Sequence, residues 1–114
     1  MRVILPWPTS DLSPNARGHW AIKARAKKAY RTLWAWQAKS QGLTRIDAER
    51  LHLKITFVPP NCRARDLDNL LASCKAGLDG LCDVIGVDDS KWSMEISKAD
   101  DRIGGFVEIV VTVA

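Results

Sequence analysis

Leu51-His52-Leu53-Lys54-Ile55-Thr56-Phe57 alternates apolar and polar residues without a break. Successive side chains of a strand point to opposite faces, so Leu51, Leu53, Ile55 and Phe57 share one face and His52, Lys54 and Thr56 the other. The pattern predicts a half-buried strand over residues 50–58, stopped by Pro59-Pro60, which cannot donate to a sheet ladder. A strand with one apolar face needs a layer to cover it, and helical patterns lie on both sides. Downstream, from about Asp66 to Ile85, Leu67, Leu70, Leu71, Cys74, Leu78, Leu81, Cys82 and Ile85 recur at three- and four-residue steps, with Gly86 placed to end the helix. Upstream, from about His19 to Ser40, Ile22, Ala26, Ala29, Leu33 and Trp36 read as the core stripe of another helix, with Gly42 past its end.

The remaining segments complete a sheet. Residues 2–5 read as a short strand and residues 6–18, rich in Pro, Ser, Asn and Gly, as a loop. Val87-Asp88-Asp89-Ser90 is turn material. Trp92, Met94 and Ile96 alternate with Ser93, Glu95 and Ser97, and Val107, Ile109, Val111 and Val113 give a last strand. Asp100-Asp101 and Gly104-Gly105 bracket what reads as a hairpin loop between these two. The order is β-α-β-α-β-β. It predicts an α+β fold: a two-layer sandwich of a four-stranded mixed sheet with two helices on one face, forming a single domain over residues 1–114.

Composition narrows the setting. No apolar run approaches the roughly 18 residues of a membrane span, and the N-terminus lacks the long apolar region of a signal peptide. A cytoplasmic protein without a membrane partner is expected. The three cysteines, Cys62, Cys74 and Cys82, have no zinc-knuckle spacing, and Cys74 and Cys82 lie too far apart on one helix to bond. Buried free thiols in a reducing compartment are expected.

Charge is unevenly distributed. The net charge is +4, yet between Leu12 and Ile46 there is no acidic residue, while Arg17, Lys23, Arg25, Lys27, Lys28, Arg31, Lys39 and Arg45 all fall there. Lys23, Lys27 and Arg31 form a ridge on one flank of the first helix. Like charges four apart destabilise a helix by about 0.2–0.5 kcal/mol per pair, a cost that bound phosphates would relieve. A basic half beside an acidic half suits a polyanion gripped by one and a cation held by the other; a merely solvated basic face is the plain alternative.

The acidic half centres on Arg65-Asp66-Leu67-Asp68-Asn69-Leu70, with Asp88-Asp89 past the other end of the same helix. Mg²⁺ favours hard oxygen ligands, usually one or two carboxylates with waters and phosphate. Asp66 and Asp68 straddle a helix start and could converge on such an ion. A 20-residue helix is about 30 Å long, so Asp89 must fold back to join them. Asp66 could equally be an ordinary helix cap and Asp88-Asp89-Ser90 an ordinary turn. Lys75 lies two helical turns beyond Asp68 on the same flank; it could stabilise charge on a phosphoryl transition state, or simply pair with Asp79.

These residues carry a resemblance. Asp66-Leu67-Asp68-Asn69-Leu70, Lys75, Leu78-Asp79-Gly80-Leu81 and Asp88-Asp89 together resemble the RusA family of Holliday junction resolvases. Leu5-Pro6-Trp7-Pro8-Thr9-Ser10 is similar to that family's N-terminal strand and Pro-rich turn, and Ser13-Pro14-Asn15 with Gly18-His19-Trp20 to its phage-borne branch. The resemblance implies a homodimer that cuts four-way DNA junctions in recombination and repair by Mg²⁺-dependent paired hydrolysis, with Mn²⁺ as a possible substitute. It implies that Asp66, Asp68 and Asp89 are catalytic metal ligands, with Asp88 a weaker candidate. The family's essential lysine usually falls four residues after the motif's second aspartate, which here is Ala72; Lys75 stands where an insertion of three residues would put it.

On this reading Lys23, Lys27 and Arg31, with Arg63 and Arg65 beside the acids, contact DNA backbones, which positions a substrate without reading its sequence. Trp7, Trp20 and Trp34 are better suited to core or interface packing than to stacking on bases, and His19 and His52 to structural roles, since neither has a metal-ligand partner at a suitable spacing. Two other functions fit the same residues: a non-catalytic branched-DNA-binding module, and an RNA-directed nuclease.

Overall fold

The computed structural model describes Met1–Ala114. The chain forms β1 (Arg2–Pro6), α1 (Trp20–Ser40), β2 (Leu51–Val58), α2 (Leu67–Ser73), α3 (Lys75–Ile85), β3 (Trp92–Lys98) and β4 (Phe106–Val113), with short 3-10 turns at Ser10–Leu12 and Asp89–Lys91. The strands make one mixed sheet in the order β1-β4-β2-β3. β4 is antiparallel to both neighbours and β2 is parallel to β3. Leu51, Leu53, Ile55 and Phe57 are buried, as the alternation requires, together with Val107, Ile109 and Val111 of β4. Tyr30, Trp34 and Ala38 of α1 and Leu78, Leu81 and Ile85 of α3 pack with them in one core. The α+β fold, with a mixed four-stranded sheet, is therefore as expected. No helix is long and apolar enough to cross a membrane.

Three features differ from the expectations. First, the second helix is interrupted. Ser73 Oγ donates to the carbonyl of Asn69, 2.8 Å away, competing for an acceptor that the helix itself uses. The next N–H, of Cys74, is shared between the carbonyls of Leu70 and Leu71 at 3.2 and 3.1 Å, and α3 starts afresh at Lys75. Second, β3 and β4 are not a hairpin. β2 lies between them, and the connecting loop crosses the end of β2, with Gly104 N–H donating to Pro59 O and Gly105 N–H to Val58 O. Gly105, at φ +79°, makes that crossing in a conformation that favours glycine.

Third, α1 buries a different face. Of the expected stripe only Ala26 packs against the core; Ile22, Ala29, Leu33 and Trp36 are exposed, Trp36 by 64%. Tyr30, Trp34 and Ala38 take their place. The reason lies on α3. Gly77 leaves room for the Trp34 ring, and a methyl at Gly80 would collide with the Arg31 carbonyl. These two glycines form a notch that receives the Trp34 face of α1. That face is anchored further where Trp34 Nε1–H and Tyr30 O–H both donate to Pro6 O, at 3.2 and 2.7 Å.

Candidate active site

The parallel β2–β3 pair requires a long crossover, and α2 and α3 provide it. The register places Trp92 beside Leu51 at the start of β2, so the chain must return along the sheet before β3 begins. Asp89, three residues before Trp92, is carried back past α3 by this return. Its Oδ2 lies 2.9 Å from Lys75 Nζ, near the start of α3 rather than beyond its end. The fold-back needed to bring Asp89 toward the Asp66–Asp68 end of the helices therefore takes place.

A cavity of about 780 Å³ opens between α1, the α2–α3 break and β3. Asp68, Asp79, Asp89 and Lys75 line it on the side of α2, α3 and the turn that follows. Lys27, Lys28 and Arg31 line it on the side of α1, and Leu12, Leu71, Leu78, Trp92 and Met94 supply apolar surface. Asp66 does not reach this cavity. It shares a neighbouring one, of about 530 Å³, with Asp68, Arg65, Lys98 and Asp100, so Asp68 stands at the wall between the two. No three His, Cys, Asp or Glu side chains come together closely enough to hold a metal ion.

The carboxylates differ in how they are engaged. Asp66 occupies the cap position of α2 but makes no capping hydrogen bond; its Oδ2 accepts only a long contact, 3.5 Å, from Asn69 Nδ2. Asp68 enters none of the ion pairs of the chain. Asp89 and Asp79 are both held by Lys75, at 2.9 and 2.7 Å. Those hydrogen bonds, Asp79's first, hold the Lys75 ammonium above its ordinary pKa. Asp88 accepts from Ser90 Oγ, which keeps its carboxyl below the usual range, and it lines none of these cavities. Asp88 is the turn residue of the pair and Asp89 the one turned to the cavity.

These donors suit a hard divalent ion. Asp89 already accepts a cation from the chain's own lysine, Asp68 opens on the same cavity, and Mg²⁺ sites commonly use only one or two carboxylates with waters and phosphate. The fit is to two carboxylates in one cavity, with Asp66 adjacent through Asp68.

The basic residues divide. Lys27 and Arg31 face the acids across the cavity, as does Lys28; Lys23 does not line it. Arg31 is committed to a two-pronged ion pair with Asp83, at 2.7 and 2.8 Å, which raises its own pKa and lowers that of Asp83. Arg63 and Arg65 line a third cavity of about 550 Å³ with Trp7 and Asp66; the Arg65 guanidinium lies 5.5 Å from the Trp7 ring centre. Trp34 is fully buried and Trp7 packs edge-on against Phe57, whereas Trp20 is 74% exposed. His19 caps α1 by accepting from Ala21 N–H, and His52 bonds Ser93 on the other face of the sheet. Lys28 and Asp79 are the charged cavity residues absent from the expected site. Each had a signal in the sequence: Lys28 adjoins the basic ridge and is followed three residues on by Arg31, and Asp79 lies four residues from Lys75.

A protein of Xylella fastidiosa strain Temecula1, named only as uncharacterized, is 40% identical to this chain over 112 residues, covering 95% of the chain and 73% of the relative. No protein-family profile matches the chain.

Proposed function

We propose that this chain, which belongs to one family with the uncharacterized Xylella fastidiosa protein, is a Mg²⁺-dependent endonuclease that cuts branched DNA, in the manner of the RusA resolvases its motifs resemble. One observation carries the reading: a single cavity sets Lys27, Lys28 and Arg31 opposite Asp68, Asp89 and Lys75. A phosphodiester entering it would meet cations on one wall and, on the other, carboxylates able to hold a metal beside a further ammonium.

Asp68 and Asp89 would hold Mg²⁺, with Asp66 adjoining, and Mn²⁺ would suit the same oxygens. When bound, the ion would supply an activated water and shield the phosphate's charge. Lys27 and Lys28, which enter no ion pair, would grip the backbone of an incoming strand. Arg31 would do so less, being bound to Asp83. Lys75 would place its ammonium against the charge that develops on the phosphoryl oxygens. Arg63 and Arg65 would contact the backbone on the far side of Asp66. Two cuts in one junction call for two copies of the site, so a homodimer is part of the proposal, as is a cytoplasmic location.

The test is cleavage of a synthetic four-way DNA junction in Mg²⁺. The native chain is expected to nick it in pairs. Asp68→Asn should lower the rate by at least about 100-fold, since loss of groups that merely support metal ligands already costs about 10- to 100-fold, and should leave junction binding intact. A second reading, a non-catalytic junction-binding module, draws support from the lack of three converging ligands. Binding without cutting by the native chain would establish it. Preference for structured RNA over the junction in competition would redirect the substrate to RNA.

A further inference from the structure

Asp79 lines the cavity but is given no role in the chemistry proposed above, yet it makes the shortest contact of the ion-pair cluster. Lys75 Nζ lies 2.7 Å from Asp79 Oδ1 and 2.9 Å from Asp89 Oδ2, so one ammonium bridges two carboxylates. The bridge joins two different segments, the helix α3 and the turn that follows it. Asp79 and Lys75 are four residues apart on α3, a spacing that makes their side chains neighbours on the helix surface. Asp89 stands in a short 3-10 turn after the helix. Asp79 is also the least exposed of the three side chains, at 35% against 45% for Asp89 and 60% for Lys75.

We infer that Asp79 is a positioning residue: it anchors Lys75 inside the cavity, so that Asp89 can leave the lysine for a divalent ion without releasing the ammonium to solvent. The inference rests on the endonuclease reading for the role of Asp89. With Asp79 present, Lys75 keeps one carboxylate when a metal takes the other. Without Asp79, Lys75 has only Asp89, and a metal must compete with the ammonium for it. Asp79 then acts on metal affinity through Lys75 and not as a ligand.

A double-mutant cycle on Mn²⁺ binding separates these roles. Free Mn²⁺ would be measured by electron paramagnetic resonance for the native chain, Asp79→Asn, Lys75→Met and the double variant, with Asp79→Glu as the conservative control. Asp79→Asn is expected to weaken Mn²⁺ binding about two- to fivefold, the scale of an exposed ion pair. Lys75→Met should tighten binding by removing the competitor. The double variant should match Lys75→Met alone, and Asp79→Glu should restore most of the native affinity. An equal loss from Asp79→Asn in both backgrounds would make Asp79 a metal ligand and overturn the inference. No loss in the native background would make the pair an ordinary surface contact and overturn it as well. If no chain, the native one included, binds Mn²⁺, the metal reading itself fails, an outcome distinct from both.

Discussion

Burial beside Tyr30 pushes the Cys74 thiol up to about 12, because a thiolate there would be stripped of water. Tyr30 O–H lies 3.7 Å from its sulfur and itself bonds Pro6 O, so the pair fixes the middle of α1 against the α2–α3 break. Cys82 is partly covered and donates to Val87 O, whereas Cys62 is exposed. The expectation of three buried thiols thus holds for Cys74 and fails for Cys62. Asn61 to Arg65 is a basic loop that burial could not accommodate. Reaction with a thiol-specific reagent at neutral pH should modify Cys62 rapidly and Cys74 only after unfolding. Cys62→Ser should abolish the fast phase. A fast phase surviving in that variant, at the rate seen in the native chain, would mean that Cys74 or the partly covered Cys82 is reachable. Helix-cap chemistry was an adequate account of Asp66 in the sequence, and only the missing capping bond leaves its carboxylate free for another use.

The elements were legible where one periodicity had one interpretation. β2 alternates cleanly and is buried as the alternation dictates, and β4 follows the same rule through Val107, Ile109 and Val111 but leaves Val113 exposed. α1 was legible in extent but not in orientation, because it carries two apolar stripes, and the choice between them is made by Gly77 and Gly80 on a helix more than forty residues away. A stability comparison tests that choice. Gly80→Ala should destabilise by about 1–3 kcal/mol in urea denaturation, the range for overpacking against atoms that cannot move aside. Trp36→Ala, on the stripe that stays exposed, should change stability by no more than about 0.5 kcal/mol. The reverse order would restore the stripe read from the sequence. The helix break was not legible, since Cys74 fits the apolar repeat; it depends on Ser73 turning its hydroxyl to Asn69. The β3–β4 hairpin failed for a related reason. A turn signal reports that the chain changes direction, not which strand it meets next.

At the scale of the whole molecule, charge segregation in the sequence becomes a cavity with cations on one wall and carboxylates on the other. That arrangement was foreshadowed by the acid-free stretch before Ile46, but its depth and its apolar surface were not, because they depend on how α1 leans on α3. Binding of a four-way junction should weaken steeply with salt. Replacing Lys27 and Lys28 together with Ala should weaken it irrespective of DNA sequence and lower the salt slope by about two, one for each lost phosphate contact. An unchanged slope would remove the α1 wall from the interface. The proposal as a whole depends on a divalent ion entering between Asp68 and Asp89, and anomalous diffraction from a crystal soaked in Mn²⁺ observes this directly. The predicted result is a peak within bonding distance of carboxylate oxygens of both residues, with Lys75 retained on Asp79. A fully soaked crystal with no peak in this cavity, or with Mn²⁺ bound only elsewhere, would contradict it.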